Sequence, residues 1–397
     1  MKINNIQDIH CPQGTVVFVT GVTGQDGSHM VDYLLRETSA SVVGGARRLS
    51  VENHANIKHL ENEPRFQLVN FDLTDSHSIY KIIEYAKPDY FINFAAQSFV
   101  ASSWDFARQT WECNSTSILD CLEAIKRLRS TCRFYNAGSS EEFGNVAYEP
   151  QDENHTARPR SPYGASKAAA RTLIKVYRES YGLYAVQGWL FNHEGPRRGE
   201  EFVTRKITKG IANIFNSIVN NKPIVGIELG NIDAVRDWSD AEDMVDAVWR
   251  MLNQDAYNKS YSFSPSLIEL QNRHFTEKEY GEWLKTMVVP HIKDYVVGSG
   301  ENHTIRDFIN EAFKVVGIRG DWMEKGVDEY LWYSSGPRAL ASSECKLVTI
   351  NPKFYRPAEV NVLRADPTKI KTELGWIPKS TFERLVEKMV ENDLTRI

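Results

Sequence analysis

Cysteine is scarce in this 397-residue chain: Cys11, Cys113, Cys121, Cys132 and Cys345 are odd in number, scattered and free of C-x-x-C spacing. That distribution speaks for a reducing compartment and against a disulfide framework or a structural zinc site. No block of like charge occurs either. With 47 basic and 52 acidic residues the formal net charge is -5, which offers no global attraction for a nucleic acid. No apolar run approaches a membrane span, and the leading M-K-I-N-N-I-Q-D-I-H lacks the apolar core of a secretory signal. The expectation is a cytoplasmic protein, off the membrane and without a metal. Repeats and low-complexity tracts are absent too, and the length suffices to bury one large α/β domain and a smaller one.

What is present is densest over residues 138–167, which read G-S-S-E-E-F-G and, after a loop, S-P-Y-G-A-S-K. A hydroxyl (Ser139), a carboxylate (Glu141), a phenol (Tyr163) and an amine (Lys167) fall within that stretch. Tyr163 and Lys167 are four apart, so a helix presents both on one face, where an ammonium lowers the phenol's pKa and makes a base.

The preceding chain supplies a nucleotide site. T-V-V-F-V-T at 15–20 has the β-branched content of a buried parallel strand. It runs into G-V-T-G-Q-D-G, which holds Gly21, Gly24, Gln25, Asp26 and Gly27, and then into an amphipathic segment at 28–37. Strand, glycine turn and helix start is the order a dinucleotide phosphate site requires, with free N–H groups at the helix start facing the pyrophosphate. The strand at 41–46 ends in Arg47 and Arg48, where an acidic residue would select the unphosphorylated cofactor. Guanidinium groups there grip a 2′-phosphate instead, which points to NADP.

Residues 66–75 read as a third strand and an acidic turn carrying Asp72 and Leu73; Asp72 lies either near an adenine edge or at the cap of the next helix. A fourth strand at 90–98 leads into Ala95, Ala96 and Ser98, small residues suited to backbone that passes a flat cofactor. A helix over 111–127 and a strand at 133–137 follow, delivering Ser139 and Glu141 at a carboxyl end, where open α/β sheets bind ligands. After a helix at 165–181 and a strand at 185–190 the strict alternation fades. The fold class is therefore α/β: a Rossmann-type doubly wound parallel sheet over 13–191, with the chain returning near 230–255. A smaller, discontinuous α/β substrate-binding domain occupies the rest of 192–397.

Five further motifs are more specific: S-S-E at 139–141, L-F-N-H-E-G-P-R-R-G at 190–199, F-V-T-R-K-I at 202–207, G-N-I-D-A-V-R-D-W at 230–238 and Y-R-P-A-E-V at 355–360. With the glycine turn, N-F-A-A-Q-S and the Tyr163/Lys167 pair, they resemble the extended short-chain dehydrogenase/reductase superfamily and, within it, the GDP-mannose 4,6-dehydratases. The resemblance implies tightly held NADP, its site completed by Tyr163, Lys167, Leu190, Asn192, His193 and Arg198. It implies a GDP-sugar substrate against Ser98, Ser139, Ser140, Glu141, Asn192 and Val203, with Lys206, Gly230, Arg236, Arg356 and Glu359 completing the pocket. Arg205 suits a phosphate contact and a surface role equally.

In the implied cycle Tyr163 takes the proton from the sugar O4 as hydride leaves C4, Ser139 hydrogen-bonds O4, Glu141 removes the C5 proton, water leaves C6 and the hydride returns there. Sugar 4-epimerases have no use for a carboxylate at 141. A homodimer or homotetramer is also implied, with the residues after Arg47 and Arg48 crossing to a neighbour. The chain departs from the family at Phe99, Phe143 and Gly195, all read as pocket-rim changes, at Glu142, read as peripheral, and in an insertion over about 262–294. A GDP-heptose substrate, a 4-epimerase or reductase, and a non-catalytic NADP sensor stand as alternatives.

Overall fold

The computed structural model describes residues 14–50, 53–254, 292–337, 346–355, 360 and 362–397. Its centre is β1 (Val16–Thr20), buried along its whole length. Val17 and Val19 face one side and Val16 and Phe18 the other, so a strand with no polar side chain until Thr20 must be covered on both faces. Around it lie β2 (Ser41–Ala46), β3 (Phe66–Asn70), β4 (Tyr90–Asn93), β5 (Arg133–Ala137) and β6 (Ala185–Leu190). With Val296–Val297 they form a seven-stranded sheet in the order Val296–Val297, β6, β5, β4, β1, β2, β3, every pair parallel. The order reverses between β1 and β4, which opens a crevice at the carboxyl ends of the strands.

The helices of this layer are α1 (Gln25–Glu37), α2 (Ser76–Ala86), α3 (Ala107–Trp111), α4 (Ser117–Leu128) and α5 (Pro162–Tyr181), followed by α6 (Val203–Val219) and α7 (Ala241–Leu252) farther on. Met30 and Leu34 of α1 and Met244, Val248 and Met251 of α7 cover one face of the sheet. Ile79 and Ile83 of α2, Ile118 and Leu122 of α4 and Ile174 of α5 cover the other. Each such side chain contributes about 1.5–3 kcal/mol by leaving water.

The expected helix over 111–127 is instead α3 and α4, separated by a π-helical turn at Glu112–Thr116. The turn points Asn114 inward, where its amide accepts from the N–H of Gln97 (2.9 Å) and donates to that residue's carbonyl (2.9 Å). Helix α5 starts three residues earlier than expected. Ser161 caps it by accepting from Gly164 N–H at 3.0 Å, and Pro162 gives up no hydrogen bond in the first turn.

The return near 230–255 is α7. A second return, with no periodic signal in the sequence, brings Val296–Val297 onto the sheet edge and Ile370, Leu374 and Trp376 into the same core. The second layer is a mixed sheet of Arg319–Met323, Tyr330–Ser335, Lys346–Ile350 and Ile227–Leu229. Helix α6 meets it through Ile207, Ile211, Ile214 and Ile218, alongside α8 (Ile305–Val315) and the helix Phe382–Leu394. Most of the expected insertion, residues 262–291, falls outside the described residues. Among those described, no helix is long and apolar enough to cross a membrane.

Arg205 takes neither of its two expected roles: it lines neither cavity and is buried in an ion pair. It is 3% exposed, pairs with Asp393 at 2.5 Å and donates to the carbonyl of Pro196, while Thr208 Oγ1 donates to the other oxygen of Asp393 at 2.7 Å. Removing one member strands the other charge in the core. Asp393→Ala is expected to cost about 3–5 kcal/mol, read as a lowered urea midpoint; a loss below about 1 kcal/mol contradicts the assignment.

Candidate active site

The glycine turn and the strand ends around it enclose a cleft of about 1320 Å³. Its shape depends on absent side chains. A Cβ on Gly27 would stand 2.3 Å from the carbonyl oxygen of Gly21, and one on Gly21 would stand 2.9 Å from Ala95 N. Helix α1 begins at Gln25, ahead of the expected 28, and no side chain caps its start. Every residue expected at the cofactor from Gly21 through Ser98 lines this cleft, Arg47 and Arg48 included, and Arg198 closes it from the far side. Asp72 lines it too and is not the helix cap: its carboxylate accepts from Thr74 N–H (2.9 Å) and Oγ1 (2.8 Å), and Asp75 caps α2.

A second cavity of about 690 Å³ adjoins the first, sharing Ala96, Ser98, Arg198 and Phe202 with it. Ser139, Glu141, Tyr163 and Lys167 all line it and all are buried. They meet because Ser139 caps a short 3-10 turn, Ser140–Glu142, accepting from Glu141 N–H at 3.2 Å, and because α5 packs straight onto that turn. A Cβ on Gly164 would lie 2.6 Å from the carbonyl oxygen of Glu141, so the glycine after Tyr163 is what lets phenol and carboxylate approach.

The electrostatics differ from the sequence expectation. Lys167 Nζ donates to the carbonyl of Ala137 at 2.8 Å and stands 5.8 Å from the Tyr163 ring centre. Burial pushes the phenol up to about 12, opposed by the hydrogen bond from Ser139, while the lysine is not among the groups that lower it. Burial also brings Lys167 down to about 8. The ammonium is thus aimed at the backbone, and the Ser139 hydroxyl, with the Arg198 guanidinium after it, favours phenolate.

His193 ties the two cavities together. Its Nδ1 faces the carbonyl of Phe191 (2.7 Å) and its Nε2 faces Asp26 Oδ2 (3.0 Å). Both partners only accept, so both ring nitrogens carry a proton. Burial opposes that charge, but Asp26 outweighs it and raises the imidazole above its ordinary value. For Asp26, burial is outweighed by His193 and Arg198, which hold the carboxyl far below the usual range.

The matching family model is described as GDP-mannose 4,6 dehydratase and covers residues 18–279 and 270–389. The GDP-mannose 4,6 dehydratase of Drosophila melanogaster is 39% identical over 387 residues, 96% of this chain and 86% of that protein. The chain belongs to the GDP-mannose 4,6-dehydratase family. The protein of the same name from Homo sapiens is 37% identical over 96% of this chain and 91% of that one. Among solved structures, a dTDP-glucose 4,6-dehydratase from Bacillus anthracis in complex with NAD aligns over 96% of both chains with a TM-score of 0.69. At 17% identity it speaks for the fold.

Set on this dehydratase scaffold, the expected substrate residues Ser98, Ser140, Asn192, Val203, Lys206, Gly230 and Arg236 all line the smaller cavity, as do Leu190 and His193. Asn192 Oδ1 is buried and has no hydrogen-bond partner among the described residues. Lys206 and Lys353 flank the Phe354 ring, their amines 3.9 and 4.9 Å from its centre. Arg356 and Glu359 fall outside the described residues.

Three departures from the family need correction. Phe143 is no rim residue: it is fully buried and stacks on Trp189 with centroids 5.6 Å apart. Gly195 lines neither cavity and is buried beside Gln25. Glu142 is not peripheral: it is fully buried and closes the Ser140–Glu142 turn. Only Phe99 meets the pocket, its ring edge-on to Phe202 at 5.8 Å. Asp26 with His193, and Glu142 with Arg171, could have been sought as opposite charges in otherwise apolar or glycine-rich motifs, but nothing local pairs them.

Lys167 also gives a pH signature. Its amine holds a proton up to about 8 when folded and up to about 10.5 when unfolded, so the unfolded state binds more protons between those values and wild-type stability rises with pH there. Lys167→Met removes a buried charge at pH 7. It is expected to stabilise the fold by up to about 3 kcal/mol, less the lost bond to Ala137. The gain in urea midpoint should vanish as pH climbs past about 10; a variant less stable than wild type at pH 7 contradicts this.

Proposed function

We infer that this chain removes water across C5 and C6 of a GDP-linked sugar, GDP-mannose or a close GDP-heptose, to give the 4-keto-6-deoxy product. The observation that carries the reading is Glu141. It shares one turn with Ser139 and one cavity with Tyr163 and Lys167. Hydroxyl, phenol and amine suffice to oxidise and re-reduce one carbon; a carboxylate beside the same carbon serves elimination.

The glycine cradle fits a dinucleotide, and Arg47 and Arg48 at the end of β2 support NADP over NAD. A nicotinamide held there supplies hydride acceptance from C4 and hydride return to C6. The chain's own groups do the rest. Ser139 hydrogen-bonds the sugar O4, and the Tyr163 oxygen takes the O4 proton as the ketone forms. Lys167, its pKa lowered by burial, holds the backbone of Ala137 and so fixes the end of β5 from which Ser139 follows. The new ketone acidifies C5–H; Glu141 takes that proton and passes it to the C6 hydroxyl, which leaves as water, and C5 regains a proton as hydride reaches C6, so the two protons lost from O4 and C5 balance the two delivered. Asn192 Oδ1, Lys206 and Arg236 offer an acceptor and two cations to the nucleotide end of the substrate.

The domain division, 13–191 with 230–255 against the rest of 192–397, supports a cofactor half and a sugar half meeting at these two cavities. A homodimer or homotetramer is proposed from the family resemblance alone. The test is Glu141→Gln with GDP-mannose and NADP. The expected result is loss of the 4-keto-6-deoxy product by at least about a hundredfold, with C4 oxidation still detectable as reduced cofactor absorbance. Near-normal turnover of the variant would mean an epimerase or reductase instead.

A further inference from the structure

Beneath the Ser140–Glu142 turn runs a line of buried polar side chains, one from each of four adjacent strands and all in one register row across the sheet. Thr20 Oγ1 donates to Asn93 Oδ1 at 2.6 Å, Asn93 Nδ2 to Asn136 Oδ1 at 2.8 Å, Asn136 Nδ2 to Gln187 Oε1 at 2.6 Å, and Gln187 Nε2 to Glu142 Oε1 at 3.0 Å. All five residues are 0–1% exposed. Every link donates in the same direction, from the strand that enters the glycine turn toward the carboxylate under Ser139. A chain of amides so aligned polarises itself, and an anion at its accepting end fixes that sense.

Glu142 is that end, and it is held hard. Arg171 Nε donates to Glu142 Oε2 at 2.6 Å and Nη2 to Oε1 at 3.3 Å, with the guanidinium 3.4 Å from the centre of the Trp189 ring. Arg171 also donates to the carbonyl of Gln187 at 2.6 Å and stands 3.5 Å from Asp294, which Arg178 grips with two bonds. The remaining bond matters for chemistry: Glu142 Oε1 accepts from the backbone N–H of Ser139 at 2.9 Å. Gly138 keeps room for this, since a Cβ there would be 2.2 Å from the carbonyl oxygen of Gly188 and 2.8 Å from Arg171 Nη2.

We propose that Glu142, clamped by Arg171, is a positioning residue that fixes the Ser139–Glu141 turn against the strand ends carrying the cofactor cleft. Its carboxylate touches no reacting atom. It acts through the amide of Ser139, so that hydroxyl, phenol and carboxylate keep one relative placement through oxidation and elimination. The catalytic part of this inference rests on the dehydratase reading above; the positioning part does not.

Two variants and two readouts test it. Glu142→Gln keeps the shape but faces Arg171 with a neutral amide. The paired Glu142→Leu/Arg171→Leu removes both charges, a change that buried ion pairs often tolerate in stability. The expected result is a paired variant with Tm within about 3 °C of wild type. Both variants should show kcat reduced at least about tenfold with KM for the GDP-sugar within about twofold, measured well below their Tm. Amide hydrogen exchange of Ser139 should be faster in both, whether or not a substrate is turned over. A paired variant with wild-type kcat, or wild-type exchange at Ser139 in either variant, overturns the proposal. If wild-type enzyme turns over no GDP-sugar, the dehydratase reading fails while the exchange result still judges Glu142.

Discussion

A parallel sheet that binds its ligands at the strand ends has to hold several loops in fixed relation without the help of direct loop-to-loop packing. In this chain β1, β4, β5 and β6 are joined across the sheet by side-chain hydrogen bonds from Thr20 to Gln187, ending on the carboxylate of Glu142. Each bond contributes only about 1 kcal/mol net, but each buried amide left unpaired costs about 1–3 kcal/mol, so a break inside the line is costlier than the bond it removes. The glycine turn follows its first member and the catalytic turn contains its last. Both halves of the site inherit their spacing from it.

Close backbone approach does the rest. Gly27 lets α1 begin against the turn of Gly21, and Gly164 lets α5 lie on the turn of Glu141. The cleft and the cavity therefore share a wall at Ala96, Ser98 and Arg198, with the imidazolium of His193 locked between Asp26 and the backbone of Phe191. That lock joins the start of the first helix to the short strand Asn192–Glu194 that follows β6. A cofactor held on one side and a sugar on the other are brought together by elements that are rigid before either arrives.

The sheet was legible because its strands are short, β-branched and punctuated by glycine, and the quartet because its members lie close in sequence. What escaped is long-range. Nothing near Glu142 announces Arg171, twenty-nine positions away on a helix, so a buried anchor looked like a stray charge. Phe143 and Gly195 were misplaced because alignment to a motif locates a residue along the chain and not its side of the backbone. The split between α3 and α4 follows from Asn114 reaching for Gln97, a contact invisible to periodicity. The phenol's environment differs for a related reason: four-residue spacing puts Lys167 on the face of Tyr163, yet its amine donates to the carbonyl of Ala137, a strand end that the spacing says nothing about.

The central claim is that one turn serves both oxidation and elimination on one bound sugar. Following the hydrogen atoms tests it most directly. GDP-mannose carrying deuterium at C4, turned over by the NADP-loaded enzyme, should give a product with that deuterium at C6 of the same molecule, and in heavy water a product with solvent deuterium at C5. Deuterium retained at C4, or no solvent label at C5, would contradict the account.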